Sequence, residues 1–118
     1  MNKIEWWFPL DLSKSASNIM LDLKTGDTDK ELNVVLCKGT TRLMLSDNDT
    51  ATLKAKLPNG VSVSIECDVA DNIIHCDVGS TITSASGIVE CEIELQSADD
   101  ASHITITPFF YLRISESI

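Results

Sequence analysis

The stretch Gly87–Gln96, which reads GIVECEIELQ, decides the fold class because its side chains alternate strictly between apolar and polar. Apolar residues occupy every second position from Val89 to Leu95, and glutamates occupy the positions between them. A strand collects these glutamates on one solvated face, whereas a helix would place Glu90 and Glu94 one turn apart, where like charges repel. The stretch therefore predicts a half-buried β-strand.

The same alternation continues on both sides of the tripeptide Pro58-Asn59-Gly60. Residues 51–57 and 61–68 each carry apolar side chains at alternate positions. Proline presets φ and glycine tolerates a positive φ, so the tripeptide suits a tight turn. These residues predict a β-hairpin.

Turn-forming clusters rich in Gly, Asp, Asn and Ser recur along the chain and leave segments of strand length between them. Residues 18–24 are predicted to form an earlier strand, and residues 103–114 a last one. Pro108 interrupts the last strand, and since proline cannot donate to a ladder, we expect an edge position, a bend or a bulge there. Residues 80–86 are too small and polar for a core strand and predict a loop or one short helical turn.

Residues 32–36 fit two templates. Thr28 and Glu31 match a capping box, and the apolar spacing that follows suits a helix. The short length and the β-branched residues favour a strand. We expect the strand and keep the helix as its competitor.

Together these segments predict an all-β protein, an immunoglobulin-like antiparallel β-sandwich of about seven to eight short strands. Alternation assigns no strand before residue 18. We therefore expect an N-terminal aromatic arm over residues 1–17 and a single β-sandwich domain over residues 18–118.

The chain has 118 residues and a formal net charge of −9, which suits one acidic globular domain. This charge repels phosphate backbones and anionic lipid, so neither nucleic acid nor a membrane is an expected partner. The N-terminal residues lack the long apolar run of a secretory signal, so we expect synthesis and folding in a bacterial cytoplasm.

In a reducing compartment cysteines remain free thiols, and we expect this of all four. None forms a C-x-x-C motif, and with His75 and His103 they show no zinc-ligand spacing, so no metal site is predicted. Two cysteines occupy positions of predicted strands whose side chains face the core, and a third occupies a position whose side chain faces outward and should be accessible. The inward pair is Cys67 and Cys91, the accessible position is Cys37, and the remaining cysteine is Cys76.

Catalytic motifs are absent from the sequence. There is no Gly-x-Ser-x-Gly nucleophile elbow and no glycine-rich phosphate loop, and the two histidines lie in ordinary strand contexts. We expect no enzymatic activity, no catalytic residue and no cofactor.

The segment Trp6-Trp7-Phe8-Pro9 contains three of the six aromatic residues of the chain. Such a segment either packs across the domain or docks on a partner, and neighbouring residues of an extended chain face opposite ways. Exposed tryptophan is a frequent interface anchor. Trp6, Trp7, Phe8 and Pro9 are therefore the candidate partner-binding residues.

Five short motifs occur in a characteristic order: FPLDL at 8–12, KTGDT at 24–28, LKAKLPNG at 53–60, Gly87 before the acidic strand, and TPF at 107–109. In this order and spacing the chain resembles, over nearly its whole length, the N-terminal domain of phage baseplate upper proteins. It departs from that family's pattern in lacking, within its 118 residues, a heptad-bearing helix or a second domain.

The resemblance implies a structural module that anchors the host-adsorption apparatus to the tail tip of a phage or prophage. It implies other tail proteins as partners, namely a distal tail protein, a receptor-binding protein or its stalk, with a second copy of the chain as a further candidate. It also implies a final location in the virion tail baseplate. The alternative function is a carbohydrate-binding β-sandwich in which the clustered aromatic rings, Trp6 in particular, stack on sugars.

Overall fold

The computed structural model describes residues 3–118, and every regular element within that range is a β-strand. The all-β prediction is confirmed. The strands are β1 (Ile4–Asp11), β2 (Ala16–Lys24), β3 (Lys30–Lys38), β4 (Thr41–Arg42), β5 (Thr50–Lys56), β6 (Ser62–Ala70), β7 (Ile73–Val78), β8 (Gly87–Gln96), β9 (Ile104–Ile106) and β10 (Phe109–Ser115).

The strands form one continuous hydrogen-bonded path in the order β1-β3-β7-β6-β5-β8-β10-β2, with β4 added to β3 and β9 to β8. Strand β6 joins the two halves, since Ser62–Cys67 pair with β5 and Asp68–Ala70 pair with β7. The sheet curls around a single core into a nearly barrel-like form.

This topology corrects the predicted architecture. Residues 3–118 form ten strands instead of seven to eight, and the sheet is mixed because β1 pairs with β3, and β2 with β10, in parallel. Two separate antiparallel layers of the immunoglobulin-like sandwich are not confirmed. Alternation along a strand reports which face is buried and says nothing about the direction of a distant neighbour, so the parallel pairs left no local signal.

The N-terminal segment also differs from the expected arm over residues 1–17. Within it, Ile4–Asp11 form β1 and pair with β3 along their whole length, from Ile4 opposite Lys30 to Asp11 opposite Cys37. Met1 and Asn2 lie outside the described residues. Aromatic residues on both faces of β1 hid its alternation, because a strand with apolar side chains on both sides does not show the two-residue period.

The core gathers the inward side chains of all the long strands, and the removal of each large one from water contributes roughly 1.5–3 kcal/mol. Across it, the rings of Phe8 on β1 and Phe110 on β10 lie 5.2 Å apart between centroids in a tilted arrangement. This contact ties β1, at one end of the strand path, to β10, near the other end. Fully enclosed core side chains include Leu10, Leu32, Val34, Leu53, Ile74, Ile82, Ile93, Phe110 and Leu112.

The predicted β5–β6 hairpin is confirmed, with Ala51 opposite Cys67 and Lys56 opposite Ser62. The Gly60 N–H donates to the Leu57 carbonyl at 2.9 Å, and Gly60 has a φ of 88°. That positive φ is the reason the turn needs glycine.

The interruption at Pro108 is confirmed as a break between β9 and β10, both of which pair with β8. Thr107 bridges the break, because its hydroxyl accepts a hydrogen bond from the Ile93 N–H at 2.9 Å and its own N–H donates to the Ile93 carbonyl at 3.0 Å. Elsewhere, residues 32–36 lie in strand β3, so the helical alternative is wrong, and residues 80–86 form the predicted loop.

Candidate docking surface

Strand β1 divides the aromatic segment between two faces of the sheet. Trp6 and Phe8 point inward, where Trp6 packs against the core and Phe8 is 6% exposed. Trp7 and Pro9 point outward, and Trp7 is 55% exposed. The four predicted contact residues therefore do not form one surface: two hold β1 in place, and two are available to a partner.

Trp7 begins a row of residues that crosses four strands in register. It lies opposite Asn33 on β3, which lies opposite His75 on β7, which in turn lies opposite Asp68 on β6. Nδ1 of His75 is 2.5 Å from Oδ1 of Asn33 and 3.3 Å from Oε1 of Glu31. The sheet thus places a polar network beside the exposed indole.

Asn33 is 0% exposed although it lies on the outer side of the sheet. Its Oδ1 contacts His75, but its Nδ2 has no hydrogen-bond partner within residues 3–118. An unsatisfied buried amide is unusual in a folded protein and costs about 1–3 kcal/mol.

A second row on the same face consists of carboxylates. Glu5 on β1 lies opposite Glu31 on β3, which lies opposite Asp77 on β7. Lys3 Nζ contacts Asp77 at 2.5 Å at one end of the row. Like charges directly opposite one another on neighbouring strands are destabilising.

We call the outer side of β1, β3 and β7 the tryptophan face, and its residues are Glu5, Trp7, Pro9, Glu31, Asn33, Val35, His75 and Asp77. The face combines one exposed aromatic anchor with a rim of carboxylates. Sequence reasoning found only Trp7 and Pro9. The alternating polar positions Glu31 and Asn33 in an otherwise apolar strand were the available signal for the rest.

Within residues 3–118, one open groove lies away from the tryptophan face, and another borders that face at Pro9. One, of about 300 Å³, crosses the outer side of β5, β6 and β8 and contains Lys54, Glu90 and Glu92; the other, of about 390 Å³, lies near the β1–β2 connection beside Lys14. On the outer side of β5 and β8, Lys54 Nζ contacts Glu94 Oε2 at 3.0 Å. Neither groove places a nucleophile beside a histidine base.

All four cysteines are free, with Cys76 and Cys91 buried, and Cys37, which was expected to be accessible, is half-buried. Cys67, which parity placed inward, is also half-buried. The pKa of the Cys76 thiol is raised by its hydrogen bond with Cys67 and by burial, and burial raises the pKa of Cys91 to about 12. Such thiols remain protonated at neutral pH and are poor nucleophiles.

The part of the chain that the structure describes, residues 3–118, contains no group of three or more His, Cys, Asp or Glu side chains arranged to hold a metal ion. In the same range there is no helix with the length and apolar character needed to cross a membrane.

No protein-family model matches the chain, and no curated protein matches it. Among solved structures, the chain is similar to the N-terminal domain of phage TP901-1 ORF48, with a TM-score of 0.68 and 9% sequence identity. The match covers 94% of this chain and 98% of that one. The resemblance to the N-terminal domain of phage baseplate upper proteins is therefore confirmed at the level of the fold.

Proposed function

We propose that this protein is a non-enzymatic structural module of a phage or prophage tail baseplate that anchors the host-adsorption apparatus to the tail tip. The observation that carries the proposal is the match in fold to a domain of a phage protein over nearly the whole of both chains. A whole-domain match supports a shared architectural role better than a match confined to a few strands would.

The tryptophan face supports a mechanism of protein–protein docking. Trp7 and Pro9 supply an exposed aromatic and a rigid apolar contact on a strand that pairs with β3 along its whole length. Ordered aromatic side chains make good interface anchors because they lose little conformational freedom on binding. Trp6 and Phe8 contribute indirectly, since their packing fixes the strand that presents Trp7.

The proposed partners are the other tail and baseplate proteins: a distal tail protein, a receptor-binding protein or its stalk, and a second copy of this chain. Assembly would begin in the bacterial cytoplasm and end in the virion tail baseplate. The carbohydrate-binding alternative is not proposed, because it assigns sugar stacking to Trp6, whose ring packs against the core.

Co-elution tests the proposal. The full chain is mixed with each tail-tip protein encoded beside it, and the mixtures are run on a sizing column with light-scattering detection of mass. We expect a stable complex with at least one of them, and a weaker one when Trp7 is replaced by alanine. If every mixture elutes as separate components, the protein does not anchor to the tail tip.

A matched control uses the other exposed hydrophobic positions. Ile106 on β9 is 56% exposed, as Trp7 is, but lies outside the tryptophan face. The Ile106→Ala variant should bind as the wild type does. Equal weakening by both variants would show that the interface is not the tryptophan face.

A further inference from the structure

We infer that the tryptophan face receives an arginine side chain of the partner protein, stacked on the Trp7 indole and bound by the carboxylates of Glu5 and Glu31. This inference rests on the proposed docking function and adds the chemistry of the partner. Three features of the face carry it.

The first is the geometry around Trp7. Its indole is exposed, and Glu5, two residues before it on the same strand, faces the same side. A guanidinium group stacks on an aromatic face through cation–π attraction and can at the same time donate hydrogen bonds to a carboxylate in its own plane. An indole beside a carboxylate therefore matches arginine better than it matches a neutral group.

The second feature is the opposed carboxylate pair. Glu5 and Glu31 lie directly opposite each other, and within residues 3–118 no lysine or arginine forms a salt bridge with either of them. The only described ionisable partner of Glu31 is the His75 ring, and Lys3 contacts Asp77 instead. Like charges placed opposite each other oppose folding, and a bound guanidinium would turn that repulsion into two charge-assisted hydrogen bonds.

The third feature is the buried amide of Asn33, which lies between Trp7 and His75 in the register. Its Nδ2 has no hydrogen-bond acceptor within the described residues, and this observation does not depend on the carboxylates of the tryptophan face. Because Asn33 is 0% exposed, a main-chain carbonyl of the partner reaches this donor only when the side chains that cover it shift on docking. The fold thus places a buried donor without an acceptor beside a carboxylate pair that no lysine or arginine of the described residues contacts.

The net charge of the chain, −9, favours the same occupant. A negative protein attracts a basic partner surface over a distance and speeds their encounter. A partner of this chemistry should therefore bind more weakly as salt is added.

The test is a titration followed by NMR of the Trp7 indole N–H, assigned by comparison with the Trp7→Phe variant. The probe is N-acetyl-arginine amide, and the matched control probe is N-acetyl-citrulline amide, which has nearly the same shape and no charge. We expect a saturable shift with the arginine probe and a negligible one with citrulline. Equal shifts from both probes, or no shift from either, would overturn the inference.

Charge-removing variants locate the site. Glu5→Gln and Glu31→Gln should each weaken arginine binding about two- to fivefold, as for a partly exposed ion pair. Glu92→Gln removes the same charge from the outer side of β8, away from the tryptophan face, and should leave binding unchanged. Far-UV circular dichroism checks that each variant is folded, and equal effects from all three variants would contradict the assignment.

The same variants separate this inference from the function on which it rests. If a tail-tip protein binds the wild type and Glu31→Gln leaves its affinity unchanged, the arginine site is wrong while the docking function stands. If no tail-tip protein binds but the titration succeeds, the docking function is wrong while the arginine site stands.

Discussion

Replacement of Phe8 by alanine should greatly destabilise the protein, although Phe8 lies only eight residues from the N-terminus. Its side chain is 6% exposed, and its ring lies 5.2 Å from that of Phe110 across the core. A buried phenylalanine replaced by alanine loses both the transfer free energy and the packing around the cavity, about 3–5 kcal/mol in all. For a domain whose whole stability is about 5–15 kcal/mol, that loss is large.

Trp7→Ala is the matched control, because it removes a larger aromatic side chain from the neighbouring position on the opposite face. With 55% of that side chain exposed, we expect a change within about 0.5 kcal/mol. Urea unfolding followed by far-UV circular dichroism measures both variants. The slope of the transition should stay the same, so that the midpoint alone reports stability.

A double-mutant cycle isolates the ring contact. Phe8→Leu, Phe110→Leu and the double variant should show a coupling free energy of about 0.5–1.5 kcal/mol, typical of a tilted aromatic pair. The reasoning fails if Phe8→Ala costs less than about 1 kcal/mol, below the range for a buried large-to-small replacement. It fails equally if Trp7→Ala costs as much as Phe8→Ala, since the burial of one face of β1 would then not distinguish the two positions.

Three further predictions concern other parts of the fold. Gly87→Ala should lower the free energy of unfolding, measured in urea, by about 1–3 kcal/mol. Gly87 has a φ of 130°, and an added Cβ would lie 2.8 Å from the Pro58 side chain. Gly79→Ala is the control, since its added Cβ meets no atom within 4 Å and should cost little. The hydrogen bond that Arg113 donates lowers the pKa of Asp22 below 3.8, so the Asp22 carboxylate stabilises the fold above pH 3.8 and loses this contribution as the pH falls through its lowered pKa. Asp22→Asn should therefore flatten the fall in unfolding free energy between pH 5 and pH 2. An unchanged slope would contradict this prediction. Thiol labelling followed by mass spectrometry should modify two cysteines before global unfolding and two only after it, and simultaneous labelling of all four would show that the core is not closed. The early pair is Cys37 and Cys67, and the late pair is Cys76 and Cys91.

Much of the local structure could be predicted from the sequence because it depends on near neighbours. The alternation over 87–96 predicts strand β8, the Pro58-Asn59-Gly60 tripeptide predicts the β5–β6 turn, and Pro108 predicts the break before β10. In each case the physical cause, a two-residue period, a positive φ or a missing N–H donor, lies within the segment itself.

Strand pairing could not be predicted in the same way. Pairing of β1 with β3, and of β10 with β2, joins segments far apart in the sequence, and the two-residue period carries no information on their direction. The neighbours of Trp7 on the tryptophan face could not be predicted for the same reason, because they depend on strand pairing. Trp7 was recognised as an anchor, but its neighbours Asn33 and His75 reach it only through the register of three strands.

The carboxylate row shows why charge on a strand is informative only after register is known. Glu5, Glu31 and Asp77 are ordinary solvated residues when each is considered in its own segment. Paired across β1, β3 and β7 they become neighbouring like charges, which oppose folding and favour a cationic partner. A stability measurement reports the same feature, since Glu5→Gln should raise the midpoint of urea unfolding slightly.

The most direct measurement of the central proposal is immunogold electron microscopy of purified phage particles from the genome that encodes this chain. An antibody to the domain should label the tail tip, at the level of the baseplate, and should not label the capsid or the tail shaft. Absence of the protein from purified particles, or label distributed away from the tail tip, would contradict the assignment of this β-domain to the tail baseplate.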